Sequence, residues 1–360
     1  MTGRRHKDGA GDADDDGSAD GNDDRGAIVS AVSGFSSGVV EVVGFHYTHT
    51  LRPQNEADYC PIRGVKRWLN VVRVVAASVV FMRVSTWNVN SIRSRVGRVV
   101  DWLVREDIDV LGMQEIKCKP DQFPYDAFTA AGYDIELHGL NQWNGVAFAS
   151  RLPMSDVTVG FPSAPGFGKV DEAGDLPQEA RALGVTVDDT RLWSLYVPNG
   201  RELDNPHYPY KLEWLARLAD ATRSWLAADP NLKLALMGDF NIAPLDIDVW
   251  DIAAFEGRTH VSQPERDAFT AFQTAGLVDI LRTRGVEGYT YWDYQQLRFP
   301  RNEGMRIDFI LGSKPFADLV TGAKIERNER KGDAPSDHVP LVVDLDVPTD
   351  EDDDDRPMIF

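Results

Sequence analysis

From Arg83 onward the hydrophobic and polar positions follow two rhythms. Arg83 to Val89 alternates and runs into Asn90, which predicts a strand. Val96 to Arg105 repeats its apolar residues at helical spacing and predicts an amphipathic helix. Short apolar runs at 109–113, 145–150, 182–187, 192–197, 232–237, 307–311 and 339–344 predict further strands. Pro209 to Ala228 reads as a helix with Leu212, Leu215, Leu218, Ala219 and Leu226 on one side, and Arg266 to Leu281 as a second, interrupted by Gly276. Many strands with a few intervening helices imply an α/β domain in which two packed mixed β-sheets are flanked by helices.

The flanks behave differently. Residues 1–26 are rich in Gly, Asp and Ala and include the run Asp14 to Asp16, a composition unable to bury enough apolar surface to offset the entropy of ordering. Residues 27–80 carry no clean period, so 1–81 is expected to be a largely disordered extension, 82–347 the catalytic domain and 348–360 an acidic tail. The start at MTGRRHKDGAG lacks the apolar core of a signal peptide. Val71 to Met82 is apolar but interrupted by Arg73, and falls short of the roughly 20 residues of a membrane span. No membrane partner is expected. Cys60 and Cys118 sit in unrelated contexts, which argues against a disulfide framework and suits a reducing cytoplasm.

Of the 360 residues, 42% are hydrophobic, enough for a sizeable core. The formal net charge of −19 argues against a protein that coats nucleic acid through a general basic surface. An acidic enzyme can still take a polyanion if a few Lys and Arg line one groove and metal ions neutralise its carboxylates.

The candidate chemistry lies where strands end. Asn88 places a neutral amide able to bond a phosphate oxygen or a metal-bound water. Glu115, after an apolar run, is a natural ligand for Mg²⁺, which prefers hard oxygens and takes one or two carboxylates. In Gly238-Asp239-Phe240-Asn241, a spacing of two in extended backbone points Asp239 and Asn241 to one face, where they could hold a water between a base and a donor. Asp308 is an acid inside an apolar strand and needs a partner, which His338 in Ser336-Asp337-His338 could supply. Tyr196 adds a phenol at another strand end. There is no Walker loop, His-Glu-x-x-His or zinc spacing of cysteines, so a metal-activated water is favoured over a side-chain nucleophile.

Taken in order, STWNVNSIRSR, LGMQEIK, NGVAFAS, LYVPNG, GDFNIAP, YTYWDY, MRIDFIL and SDHVPL resemble the exonuclease III branch of the endonuclease/exonuclease/phosphatase family, the class II apurinic/apyrimidinic endonucleases of base-excision repair. The likeness spans residues 82–347, and YTYWDYQQLRFPRNEGMRIDFIL is similar to bacterial members of an actinobacterial type. It implies a four-layer α/β sandwich with the site at one edge of the two sheets. It also implies hydrolysis of DNA phosphodiesters 5′ to abasic sites, with 3′ to 5′ exonuclease and 3′-phosphatase activity.

Residue by residue, the resemblance implies that Glu115, with Asn88 and Asp337, holds Mg²⁺, for which Mn²⁺ can substitute. Asp239 and Asn241 would position or deprotonate the attacking water, and Tyr196 and Asn88 would bind the phosphate. His338, oriented by Asp308, would stabilise transition-state charge. Contacts to DNA are implied at Asn90, Arg181, Trp292, Tyr294, Arg298 and Arg301. Asn90 stands where some relatives have Asp, which puts a second metal ligand there in question. The implied partner is double-stranded DNA with abasic sites or blocked 3′ ends, met by a monomer acting at the nucleoid. Two readings stay open beside this one: a relative acting on phosphoinositide, sphingomyelin or RNA, and a non-catalytic binder. So do the choice of Asp239 or His338 as general base and the number of metals.

Overall fold

The computed structural model describes residues 79–170 and 174–348. The expected N-terminal extension, apart from its last three residues, and the acidic tail beyond Pro348 lie outside the described residues.

One six-stranded sheet contains β1 (Val79–Asn88), β2 (Val110–Gln114), β3 (Asp134–His138), β4 (Val146–Ser150), β11 (Val320–Ile325) and β12 (Leu341–Pro348), in the order β11-β12-β1-β2-β4-β3. The other contains β5 (Ser155–Val159), β6 (Ala182–Val187), β7 (Thr190–Tyr196), β8 (Lys233–Asp239), β9 (Val278–Asp279) and β10 (Asp308–Gly312), in the order β5-β6-β7-β8-β10-β9. In each sheet the central neighbours β1/β2 and β7/β8 run parallel. Both pairs are joined through a helix, α1 (Ile92–Arg105) and α3 (His207–Ala228), as parallel pairing requires.

Three apolar clusters define the layers. Val84, Val110 and Phe148 of the first sheet meet Val185, Leu192, Met237 and Ile310 of the second. Val99, Trp102 and Leu103 of α1, with Phe128 of α2 (Tyr125–Ala130), cover the outer face of the first sheet. Trp214, Leu215 and Leu218 of α3, with Phe269 and Phe272 of α4 (Gln263–Thr274), cover the outer face of the second. The result is the expected helix–sheet–sheet–helix sandwich.

The sheets approach closely at Gly112, where a Cβ would lie 2.8 Å from Met237 Cε and 3.3 Å from Ser194 Cβ. Beside it the buried Gln114 amide donates across the gap to Ser194 Oγ (2.9 Å) and within its own sheet to Thr86 Oγ1 (3.0 Å). This polar tie in an apolar layer fixes the register of the two sheets, because slippage would strand a buried amide.

Two boundaries differ from expectation. The second helix does not run to Leu281. It begins earlier, in a Ser262/Glu265 capping box with Pro264 in the first turn. It then stops at Gly276, whose φ of +106° lets Leu277 N–H return to Phe272 C=O (3.1 Å). The chain beyond makes β9 and the single turn α5 (Ile280–Thr283). At the N-terminal side β1 starts at Val79, which pairs with Pro348, so the domain includes three residues before Met82. Edge strands β3 and β5, α2, β11 and α6 (Lys314–Leu319) have no clear period, and their solvent-facing positions explain why. No helix among the described residues is long and apolar enough to cross a membrane.

Candidate active site

Five of the expected residues stand at or just past strand termini along one edge of the sandwich. Asn88, Tyr196 and Asp239 are the last residues of β1, β7 and β8, Asp308 is the first of β10, and Glu115 follows β2. Because β10 runs antiparallel to β8, its start lies beside the end of β8, and Asp308 and Asp239 are cross-strand partners. Tyr196 and Asp239 are partners on the parallel side. His338 arrives on the loop before β12, its carbonyl accepting from the Trp87 indole N–H (3.1 Å) and Ser336 Oγ donating to Asn88 C=O (2.7 Å).

The turn after β8 needs Gly238. Its φ is +143°, and a Cβ there would fall 2.0 Å from Leu195 C=O. Asp239 then accepts from Asn241 N–H (2.9 Å) in an Asx turn, with Asn241 at φ +52°. The expectation of an extended segment pointing both side chains one way is corrected here. The backbone turns, and the Asp239 carboxylate itself holds the turn together.

A continuous chain of polar contacts links the site. His338 Nδ1 lies 2.9 Å from Asp308 Oδ2, and its Nε2 lies 3.8 Å from Asp239 Oδ2. The Asn88 amide N–H₂ donates to Asp239 Oδ2 (3.0 Å) and to Glu115 Oε1 (2.7 Å). Its own Oδ1 accepts from Asn90 N–H (3.0 Å), which fixes the amide's orientation. Lys117 Nζ closes the far end, 2.7 Å from Glu115 Oε2.

The electrostatics follow from burial. Asp239 is buried and faces Asp308 and Glu115, and burial first, then those two charges, raise its carboxyl to about 7 despite His338 and Asn88. Burial alone would lower the His338 imidazole, but Asp308 and Asp239 outweigh it and raise it to about 10, so it is an imidazolium at neutral pH. Burial likewise opposes ionisation of Glu115, yet Lys117 and Asn88 hold its carboxyl below the usual range. Burial and the Glu115 charge push the Tyr196 phenol well up, so it is a donor.

Glu115, Asp239 and His338 bring one ligand atom each within 4.8 Å of one another. The hard oxygens of Glu115 and Asp239 fit a divalent cation, which would relieve the crowding of buried carboxylates that raises Asp239. His338 fits less well as a ligand, because its imidazolium has no lone pair on Nε2. Asp337, expected beside Glu115, does not join this cluster; its Oδ1 accepts from the Asn90 amide (2.9 Å). Asn90 Oδ1 in turn accepts from Lys117 Nζ (2.5 Å). Asn90 thus bridges a cation and a carboxylate, with both ends of its amide engaged.

Apart from Asn90, the residues expected to meet DNA divide into two groups. Tyr294 is 49% exposed, its hydroxyl accepting from Arg95 Nη2 (2.9 Å) and donating to Pro335 C=O. Arg298 borders a groove of about 930 Å³, lined also by Arg201, Trp250, His260, Tyr291 and Met305. Arg298 lies over the Trp250 ring, and it shares Glu303 with the exposed Arg301. The other two stand behind the surface, which corrects the expectation of direct contact. Trp292 is fully buried and packs edge-on against Phe299, holding the loop from beneath. Arg181 is 8% exposed, pairs with Glu179 (2.7 Å) and stacks under the Tyr196 ring, so it orients that phenol.

Sequence reasoning passed over Lys117, Asn199, Lys211 and His260. Lys117 is two residues past Glu115 and Asn199 three past Tyr196, so proximity was an available signal; a solitary His or Lys gives none. The Tyr291 ring joins the groove to the site, 4.8 Å from the His338 ring.

The comparisons agree with this architecture. The sequence pattern of the endonuclease/exonuclease/phosphatase family matches residues 85–338, and the chain belongs to that family. The exodeoxyribonuclease of Bacillus subtilis is 27% identical over 274 residues, covering 74% of this chain and 100% of its own. The DNA repair nuclease APEX1 of Danio rerio is 28% identical, covering 74% and 83%. Among solved structures, the 3′ phosphatase NExo from Neisseria bound to product DNA hairpin superposes with a TM-score of 0.67 at 36% identity, covering 74% of this chain and 99% of its own. An AP endonuclease from Archaeoglobus fulgidus gives a TM-score of 0.67 at 33% identity, covering 74% and 100%.

Proposed function

We propose that this DNA repair nuclease hydrolyses duplex DNA 5′ to abasic sites and trims or dephosphorylates 3′ ends, using one set of residues for all three reactions. The observation that carries the reading is the unbroken chain Asp308–His338–Asp239–Asn88–Glu115 at the strand ends. Its parts suit in-line attack of water on a phosphodiester. Relatives named as exodeoxyribonuclease and DNA repair nuclease favour DNA over phosphoinositide, sphingomyelin or RNA, and catalysis over mere binding.

Glu115 would be the principal ligand for a divalent cation, Mg²⁺ or in its place Mn²⁺, with Asp239 beside it, whereas Asn88, expected as a ligand, turns its N–H₂ to both carboxylates and its Oδ1 to Asn90 N–H. When bound, the cation would neutralise phosphate charge and acidify a water. Asp239, held by Asn88 and facing His338, accepts the proton of the attacking water, and the Asn241 amide orients that water. The His338 imidazolium, its Nδ1 proton pinned by Asp308, faces the charge that develops on the phosphoryl oxygens. The Tyr196 hydroxyl donates to another of those oxygens. Arg298 at the groove, with the exposed Tyr294 and Arg301, holds the duplex, and the protein acts as a monomer at the nucleoid.

The test is a duplex carrying one abasic analogue, incubated with Mg²⁺ and with EDTA. Cleavage that needs the metal and disappears in Asp239→Ala is expected. Absent or metal-independent cleavage overturns the function, and near-normal activity of Asp239→Ala overturns the site.

A further inference from the structure

We infer that His260 is a positioning residue for the reaction, acting through Asn199 to set the side-chain amide of Asn241. The inference rests on the proposed role of Asn241 in orienting water.

Every donor in this corner can be assigned by counting. Arg201 N–H donates to Asn199 Oδ1 (3.1 Å), so the Asn199 amide nitrogen must point the other way. There it lies 2.9 Å from Asn241 Oδ1 and 3.2 Å from His260 Nε2, which are themselves 3.2 Å apart, so the state of Nε2 decides whether Asn199 gives a proton to each or His260 gives one to Asn241 directly. Asn241 Oδ1 is thereby the acceptor, and its Nδ2 is turned to Val197 C=O (3.0 Å) with a second proton left over.

On the far side of the ring, Thr259 Oγ1 donates to Arg201 C=O (3.1 Å) and lies 3.0 Å from His260 Nδ1. A hydroxyl has one proton, so the proton between Thr259 and His260 belongs to Nδ1. His260 is then a neutral imidazole with Nε2 free to accept from Asn199. Burial and the Lys211 ammonium agree with that state, lowering the imidazole to about 4.

Lys211 supports the same two asparagines from below. Its buried ammonium donates to Asn241 C=O (2.6 Å) and Asn199 C=O (3.2 Å) and pairs with Glu265. The backbone of both residues is clamped from the core, while His260 and Thr259 at the groove wall fix the amides. Without His260, Asn199 loses one acceptor and its amide is free to turn, and Asn241 follows.

The test pairs spectroscopy with kinetics on the full-length chain. A side-chain ¹H–¹⁵N spectrum of the metal-free protein, with the His260 signals assigned by their loss in His260→Gln, is expected to show Nδ1 protonated and Nε2 bare. On the abasic duplex with Mg²⁺, His260→Ala is expected to lower kcat about 10-fold to 100-fold with KM changed less than about 2-fold, the range for partners that orient reacting groups. His260→Gln, whose amide oxygen can accept in place of Nε2, is expected to recover most of kcat.

A spectrum with Nε2 protonated overturns the inference even if His260→Ala fails to fold. So does a folded His260→Ala at parental kcat, or one altered in KM alone. A parent protein inactive on the duplex counts against the proposed function instead, since the tautomer is read without substrate.

Discussion

Lys211 and Glu265 form an ion pair with both side chains fully buried, and removing both halves should be no more harmful than removing the lysine alone. In Lys211→Met the Glu265 carboxylate keeps Ser262, whose Oγ lies 2.6 Å away, and the His260 backbone N–H but no charge partner, and the Asn199 and Asn241 carbonyls lose their shared donor. Breaking a buried pair from one side costs about 3–5 kcal/mol. That is about a fifth or more of the stability of an ordinary domain. In Lys211→Met/Glu265→Leu no charge is left unpaired, and apolar replacement of a buried pair is often near neutral. Two orphaned carbonyls remain, at about 1–3 kcal/mol each. The double variant should therefore be no worse than Lys211→Met, giving a coupling energy of about 3 kcal/mol or more.

Urea unfolding followed by tryptophan fluorescence measures each species. The pH dependence supplies a sign check. In the parent, Lys211 holds the Glu265 carboxyl below 4.5, so the pair's contribution is present above that value and fades as pH falls through the lowered one. In Lys211→Met, burial without the lysine raises that carboxyl, so the variant loses stability as pH rises past 4.5 and the gap to the parent widens toward neutrality. Single variants costing under about 1 kcal/mol, or a double variant equal to the sum of the singles, would refute the reasoning.

Asp308→Asn should leave the fold intact but cut kcat by about 10²-fold to 10⁴-fold, because an amide no longer fixes the Nδ1 proton or sustains the imidazolium; activity within about 3-fold of the parent on the abasic duplex would contradict this. The His338 imidazole is raised from 6.5 to about 10, so its stabilising contribution is complete below 6.5 and lost as pH rises through about 10. Melting of metal-free parent and His338→Gln should converge across that window, and a constant difference would speak against the Asp308 and Asp239 pairing. Finally, a chain truncated to begin at Val79 should melt at a higher temperature than one beginning at Met82, because residues 79–81 pair with 346–348 of β12. Equal melting points would show those pairs to be idle, and loss of nuclease activity in both would show that activity needs the preceding segment.

What could be read along the chain and what could not divides by the range of the physics. The buried strands carried short apolar runs, and the polar residues closing them, Asn88, Glu115, Tyr196 and Asp239, were legible as departures from the run. The ordered motifs then named the family, because eight weak segments in one order are improbable together. The exposed strands β3 and β5 escaped because a surface element needs no apolar period. Gly276 was seen as an interruption, but that it ends the helix rests on its φ of +106° and on the neighbouring strand β10 waiting to pair.

Roles were harder than positions. A Trp or Arg in a polar loop looks the same in sequence whether it faces solvent or core, and only packing put Trp292 and Arg181 behind the surface. Asn90, Lys117 and Asp337 are separated by up to 247 residues, yet they saturate one another's hydrogen bonds. The raised carboxyl of Asp239 and the imidazolium of His338 likewise arise from charges on other strands, brought together at one sheet edge. Composition and period act through neighbours in sequence and so determined the elements and the inventory of chemical groups. Burial, Coulomb interaction and hydrogen-bond capacity act through neighbours in space, and they decided which groups are charged, which are spoken for, and which remain free to act.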